Sequence, residues 1–286
     1  MLKSLKPIFM MVASVVLTII SIFNVCADTI YVVGSYSYTI VDNQSIALCG
    51  YDSSFTSLSV PDSLAGRYVT NISSYALADN TTIQTVDFSN ASHLKTIGIE
   101  AFMGCTALTE INIPSGVTTV RERAFEDCTS LSSVTIDANL TKISEECFYG
   151  CSSLQSVVIP DTVTKIEKFA FANCSALEYV EIPASVTSIP LSAFRNDNNL
   201  TIGCYKNSFA EQFCINNNLT YTLIYQQGDV NLDGVININD ATLLQRYIAM
   251  IVDIDQTQLS VADVFADGRV DINDATKIQR IVAKIE

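Results

Sequence analysis

The sequence predicts an α/β chain in two parts: a solenoid of short β-strands and short helical turns with a 23-residue period, then a small all-α module. Three observations predict it. Phenylalanines recur at 102, 125, 148, 171 and 194, always 23 residues apart. Two acidic twelve-residue loops lie 34 residues apart, and each runs into nearly the same helical sequence. An apolar stretch behind two lysines precedes both parts.

That stretch fills residues 1–27. Lys3 and Lys6 stand ahead of an apolar run over 8–23, and Val25-Cys26-Ala27 follows with small residues where a signal peptidase needs them. The run is about 16 residues long and holds Ser14, Thr18 and Ser21, short of the ~20 that a membrane span requires. It is expected to be a cleaved secretion signal that leaves no membrane span and a secreted protein. Cys26 is not read as lipidated, because Phe23-Asn24-Val25 offers no small residue just before it. The whole chain carries a formal charge of −14; losing the leader removes two lysines and no acid, leaving 14 basic against 30 acidic side chains, or −16. Such a surface repels nucleic acid and anionic membrane, so no nucleic-acid partner is expected, and it tolerates divalent cations.

The solenoid is expected over 28–225. In register with the phenylalanines run Leu108, Leu131, Leu154, Leu177 and Leu200, then Ile111, Val134, Val157 and Val180, then Val120, Ile143, Ile166 and Ile189. Within one unit, Leu-x-x-Ile-x-Ile-Pro reads as a short strand with its apolar residues inward, and the following Pro or Asp turns the chain. One coil cannot bury both of its faces, so neighbours supply the stability and the ends need caps. Tyr75-Ala76-Leu77 reads as a worn first repeat, the insertion at 89–95 absorbing two extra residues, and the segment 204–213 reads as a closing turn and helix. The Ala-Phe-x-x-Cys and Ile-Pro marks resemble those of the BspA-like leucine-rich repeat family of bacterial surface proteins. The resemblance extends to Tyr38-Thr39-Ile40-Val41 and to Pro61-x-x-Leu64-x-Gly66. It implies a binding scaffold without a shared active site, and no catalytic residue is assigned. Candidate ligand contacts are the outward strand positions Glu110, Asn112, Ser133, Thr135, Ser156, Val158, Tyr179 and Glu181, facing an unknown protein or glycan.

Eight cysteines follow the leader. Cys105, Cys128, Cys151 and Cys174 occupy one repeat position and are expected to stack as buried free thiols, leaving Cys204 with Cys214 as the pair best placed for a disulfide. His93, the single histidine, falls in the irregular insertion and is expected in an exposed loop instead of beside a catalytic thiol.

The module is expected over 226–286. Asp229, Asn231, Asp233, Asn237 and Asp240 place oxygen ligands at positions 1, 3, 5, 9 and 12 of a loop whose position 6 is Gly234, and Val235 would add its carbonyl at position 7. The second loop offers Asp263, Asp267, Asp271 and Asp274, with the Arg269 carbonyl, but position 3 is Phe265, which cannot be a ligand. Two calcium ions are expected, the second held less completely. A loop followed by a helix, without the helix that opens an EF-hand and repeated once, resembles a type I dockerin. That resemblance implies a cohesin module of a scaffolding protein as partner, as in cellulosomes, with pseudo-twofold symmetry. It implies specificity at Ile238, Asn239, Gln245 and Arg246, or at Ile272, Asn273, Gln279 and Arg280. Leu244 and Ile278 are expected to complete the apolar centre of that face. The resulting expectation is a secreted, non-catalytic binding or adhesion subunit held on a scaffold at the cell surface. The alternatives are a polysaccharide-degrading component, for which Glu126 with Asp127 or Glu145 with Glu146 are candidate carboxylates on a solenoid with no evident pocket, and an inhibitor or spacer.

Overall fold

The computed structural model describes residues 29–285, so the expected secretion signal lies outside it. Among the described residues no helix is long and apolar enough to cross a membrane.

The chain opens with an antiparallel meander of β1 (Tyr31–Val33), β2 (Tyr36–Ile40) and β3 (Ser45–Tyr51). After β4 (Ser57–Ser59), β5 (Ser63–Leu64) doubles back on β6 (Arg67–Ile72) through Ala65 and Gly66. Both turn residues have positive φ, as a tight two-residue hairpin requires. Each later coil then supplies one longer and one two-residue strand. In chain order these are β7 (Thr85–Asp87), β8 (Thr96–Ile97), β9 (Glu110–Ile113), β10 (Thr119–Val120), β11 (Ser133–Ile136), β12 (Lys142–Ile143), β13 (Ser156–Val158), β14 (Lys165–Ile166) and β15 (Tyr179–Ile182). The turns between strands are tight, and the last one closes into a 3-10 helix, Leu191–Phe194. The cap is β16 (Thr201–Tyr205), α1 (Phe209–Asn217) and β17 (Tyr221–Ile224). Ser208 starts α1 by accepting from the Glu211 amide, and Asn218 ends it in the left-handed region.

Eight strands, in the order β17-β16-β15-β13-β11-β9-β7-β4, form one parallel sheet. Its register sets Glu110 beside Ser133, Ile111 beside Val134 and Asn112 beside Thr135, so each residue lies next to its equivalent one period away. Equivalent side chains therefore stack in columns along the solenoid axis. Strand alternation decides which columns face inward: Ile111 and Ile113 are buried, whereas Glu110 and Asn112 are exposed.

The inward columns explain the sequence marks. Phe102, Phe125, Phe148, Phe171 and Phe194 form a continuous stack with centroids 5.2, 5.4, 5.4 and 5.8 Å apart and planes within 10° of parallel. The cysteine column beside it fills space and also donates hydrogen bonds. The thiols of Cys128, Cys151 and Cys174 reach the carbonyl oxygens of Phe102, Phe125 and Phe148 at 3.1, 3.2 and 3.1 Å, and Cys105 reaches that of Leu77. Each of these carbonyls already accepts a backbone amide within its turn, and the thiol occupies its second lone pair. Burial pushes the Cys105 thiol up to about 12 and holds its neighbours well above the ordinary range. All eight cysteines of the described residues are free thiols. The neighbouring Cys214 thiol, and then burial, hold the Cys204 thiol far above its ordinary range.

The C-terminal module packs α2 (Ile238–Ile248) against α4 (Ile272–Val282), with the short α3 (Gln256–Ala262) between them in sequence. Val230, Ala241, Leu244, Ala262, Ala275 and Ile278 form its core. The helix α3 was not anticipated from the sequence, although Asp255 and Gln258 form a reciprocal capping box at its start.

Candidate calcium loops and partner faces

In the first loop, backbone amides fix the acids before any ion is considered. Asp229 accepts from the amides of Asp233 and Gly234 at 3.0 and 2.7 Å, and Asp240 accepts from those of Asn231 and Asn237 at 3.0 and 2.8 Å. Asn231 Oδ1 also accepts from the Asp233 amide, while Asn237 caps α2. The second loop repeats the pattern: Asp263 holds the amides of Asp267 and Gly268, Asp274 holds that of Asp271, and Asp271 caps α4. Leu232 with Gly234 and Ala266 with Gly268 take the same left-handed conformations. Sequence position 3 breaks the match: Phe265 brings no side-chain oxygen, its ring is half exposed, and Lys277 Nζ lies 5.7 Å from the ring centroid.

Among the described residues no group of three or more His, Cys, Asp or Glu side chains is gathered as a ready metal cluster. The donor chemistry nonetheless suits a hard divalent cation. Asp229 and Asp240 are 1% and 0% exposed. Burial, and then repulsion from neighbouring carboxylates, raises both above the usual carboxylate range. In that loop Asp233 would add a third carboxylate, and the other expected ligands, Asn231, Val235 and Asn237, are neutral oxygen donors.

The expected partner face needs one correction. Ile238 and Ile272 are 54% and 53% exposed at the first turns of α2 and α4, and Asn239, Asn273, Arg246 and Arg280 are exposed. Gln245 and Gln279 are half-buried. Leu244 and Ile278, expected at the centre of this face, are fully buried between the helices. Helical spacing explains why: Ala241, Leu244 and Ile248 fall on one stripe at i, i+3 and i+7, and Ile238 lies off it. The exposed Val235, 54% accessible beside Ile238, was passed over as a surface residue.

The two loops also differ in their surroundings. A Cβ added at Gly234 would come within 3.0 Å of the Tyr205 Cβ in the solenoid cap, whereas one at Gly268 would meet nothing within 4 Å. On the parallel sheet, Glu110, Asn112, Ser133, Thr135, Ser156 and Val158 are exposed as expected of a ligand face. Tyr179 and Glu181 are half-buried, since the Tyr179 hydroxyl lies over Gly203 of the next coil. His93 is held more firmly than an open loop implies, with Nδ1 2.8 Å from Asp62 Oδ1 and its ring stacked on Tyr68. The expectation of a pocketless solenoid is corrected by a cavity of about 420 Å³ on the turn side.

A stack of parallel coils with in-register columns, closed by a helical module of paired acidic loops, defines a modular repeat protein. Residues 70–201 match the BspA type leucine rich repeat region in six copies, and residues 227–283 match the Dockerin type I domain. The chain thus carries a BspA-type leucine-rich repeat region followed by a type I dockerin, a calcium-binding kind of module that implies a cohesin partner. Both are non-catalytic kinds of module. No curated protein matches the chain. Among solved structures, the T. pallidum leucine rich repeat protein is 28% identical with a TM-score of 0.55, over 59% of this chain and 78% of that one. A leucine-rich repeat protein from Eubacterium ventriosum is 24% identical with a TM-score of 0.49, over 57% of this chain and 44% of that one.

Proposed function

We propose that this chain is a secreted, non-catalytic binding subunit, with a leader over 1–27, a ligand-carrying solenoid over 28–225 and a dockerin over 226–286 that anchors it to a cohesin-bearing scaffold of cellulosome type. The observation that carries the reading is the pair of matched loop-helix units, each helix opening with an exposed isoleucine and asparagine and carrying an exposed arginine in its last turn. In the first loop Asp229, Asn231, Asp233, Asn237 and Asp240 would hold one calcium ion with the Val235 carbonyl. In the second, Asp263, Asp267, Asp271 and Asp274 would hold another with the Arg269 carbonyl and one ligand fewer. Bound calcium supplies the positive charge that lets converging carboxylates stay ionised. The chain's own part is to aim those carboxylates through backbone amides and to couple each loop to the helix it caps, so that ordering a loop orders the surface above it.

The partner face is Ile238, Asn239, Gln245 and Arg246, or its counterpart Ile272, Asn273, Gln279 and Arg280, around an apolar centre of exposed isoleucine. The solenoid presents its ligand, a protein or glycan, away from that anchor. The test is capture of the full chain on a panel of immobilised cohesins with calcium and with a chelator. Calcium-dependent capture that is lost in a variant carrying Ile238→Asp and Ile272→Asp supports the reading. Failure to bind any cohesin with both loops calcium-loaded rejects it.

A further inference from the structure

The cavity on the turn side arises from a single small residue in a column of large ones. Counting by the period, Met103, Glu126, Tyr149, Ala172 and Arg195 are equivalent, and the fully buried Ala172 leaves a gap between Tyr149 of the preceding coil and Arg195 of the following one. Phe169 walls one side. It stands in the left-handed position that Glu100, Arg123 and Glu146 hold in earlier coils. The other side is the Asn173–Asn196 pair, whose 2.7 Å bond uses the Asn173 carbonyl oxygen and one Asn196 amide hydrogen. At about 420 Å³ the cavity falls within the range of small-ligand sites, roughly 300–1,000 Å³.

Its polar atoms are only partly engaged. Glu126 Oε2 is buried without a hydrogen bond, its nearest cation being Arg123 Nε at 3.7 Å, and Arg123 is shared with Glu100 and Glu146. The Asn173 amide nitrogen and the Asn196 carbonyl oxygen remain open. Both acceptors and donors therefore line the cavity, together with two aromatic side chains. Hydroxyl groups, which donate and accept at once, satisfy such a rim, and the faces of a pyranose ring suit the aromatic walls. The carboxylates disfavour an acidic sugar.

We propose that this turn-side cavity binds one unit of a neutral saccharide, with Glu126, Asn173, Asn196 and Arg195 contacting hydroxyls and Tyr149 and Phe169 contacting ring faces. The site lies off the strand face considered above, and the proposal deepens, and rests on, the reading of the solenoid as the ligand-carrying half.

The test is saturation-transfer NMR on the full chain with neutral β-linked hexasaccharides of glucose, xylose and mannose. Ala172→Met fills the cavity with the side chain that the first coil already accommodates at this position, so the fold is retained, as the far-ultraviolet spectrum will report. Arg195→Ala truncates an exposed residue and serves as the variant that cannot disturb packing. Binding of at least one hexasaccharide, weakened at least tenfold by Ala172→Met and severalfold by Arg195→Ala, and unchanged by Gln155→Ala at an exposed position outside both faces, is the expected result. No transfer to any of the three sugars, or binding undiminished by Ala172→Met, overturns the proposal. Calcium-dependent cohesin capture, measured on the same preparations, reads the anchoring function separately.

Discussion

Two residues depart from their columns, and each sets a measurable property. Asp197 stands where the cysteine column would continue after Cys174, in a position built for a group that donates to a carbonyl. It is 9% exposed, neither oxygen has a hydrogen-bond partner, and burial raises it to about 7 from an ordinary 3.8. The folded chain keeps this proton to about pH 7, while the unfolded chain releases it above about 3.8. Its stabilising contribution is therefore complete below pH 4 and lost as pH rises toward 7. Asp197→Asn, which keeps shape and restores a donor, is expected to stabilise the solenoid at pH 7 by roughly 2–4 kcal/mol and to make no difference at pH 4. Urea unfolding at the two pH values checks this, and equal midpoints at pH 7 would refute it. Phe265 is the second departure. Phe265→Asp supplies the missing oxygen, and calorimetry on the full chain is expected to show the weaker calcium event tightening about tenfold, roughly 1.4 kcal/mol. An unchanged second event would mean that Phe265 is not what limits that loop.

At the scale of elements, the aromatic stack decides how coils hold together. Phe148 lies between two rings at 5.4 Å and is 1% exposed, so Phe148→Ala opens a void in the middle of the array and is expected to cost about 3–5 kcal/mol. Val158→Ala on the adjoining strand, already 58% exposed, is expected to stay within about 0.5 kcal/mol. Denaturant midpoints of the two variants check the contrast; similar losses would mean that the strands, and not the stack, carry the coils. Much of this was legible in the sequence, because a period of 23 residues fixes columns and columns fix burial. The loops were legible for a related reason: spacing of oxygen donors around a glycine leaves few alternatives. What escaped was information that needs an angle or a neighbour. Leu244 and Ile278 do not join the face of Ile238 and Ile272, because residues six apart on a helix lie on different sides of it. The helix α3 is only seven residues long, and its signal was a capping pair. The turn-side cavity required comparing Ala172 with its equivalents one coil away, since locally it is an unremarkable alanine.

Across the whole molecule the two parts draw on different sources of stability. The solenoid has a continuous apolar core from Tyr38 to Cys214, whereas the dockerin core has six buried residues. Chelating calcium from the full chain is expected to melt the α2–α4 pair while the β-sheet signal persists. Restoring calcium to a hundred times its dissociation constant is expected to return about 2.7 kcal/mol per site. Circular dichroism during thermal unfolding is expected to resolve two transitions, of which calcium moves only the lower; a single transition that shifts as a unit would show the parts to be one cooperative body. The register of the large sheet has a further, mechanical consequence. Hydrogen bonds between neighbouring parallel strands run across the strands, which is along the axis of the array, and the aromatic stack runs the same way. Tension entering at the dockerin end would therefore strain one inter-coil junction after another, not all of them together. Each coil that lets go would free about 75 Å of slack while the rest stayed shut, so a tethered molecule would lengthen in steps under drag before its load tore away.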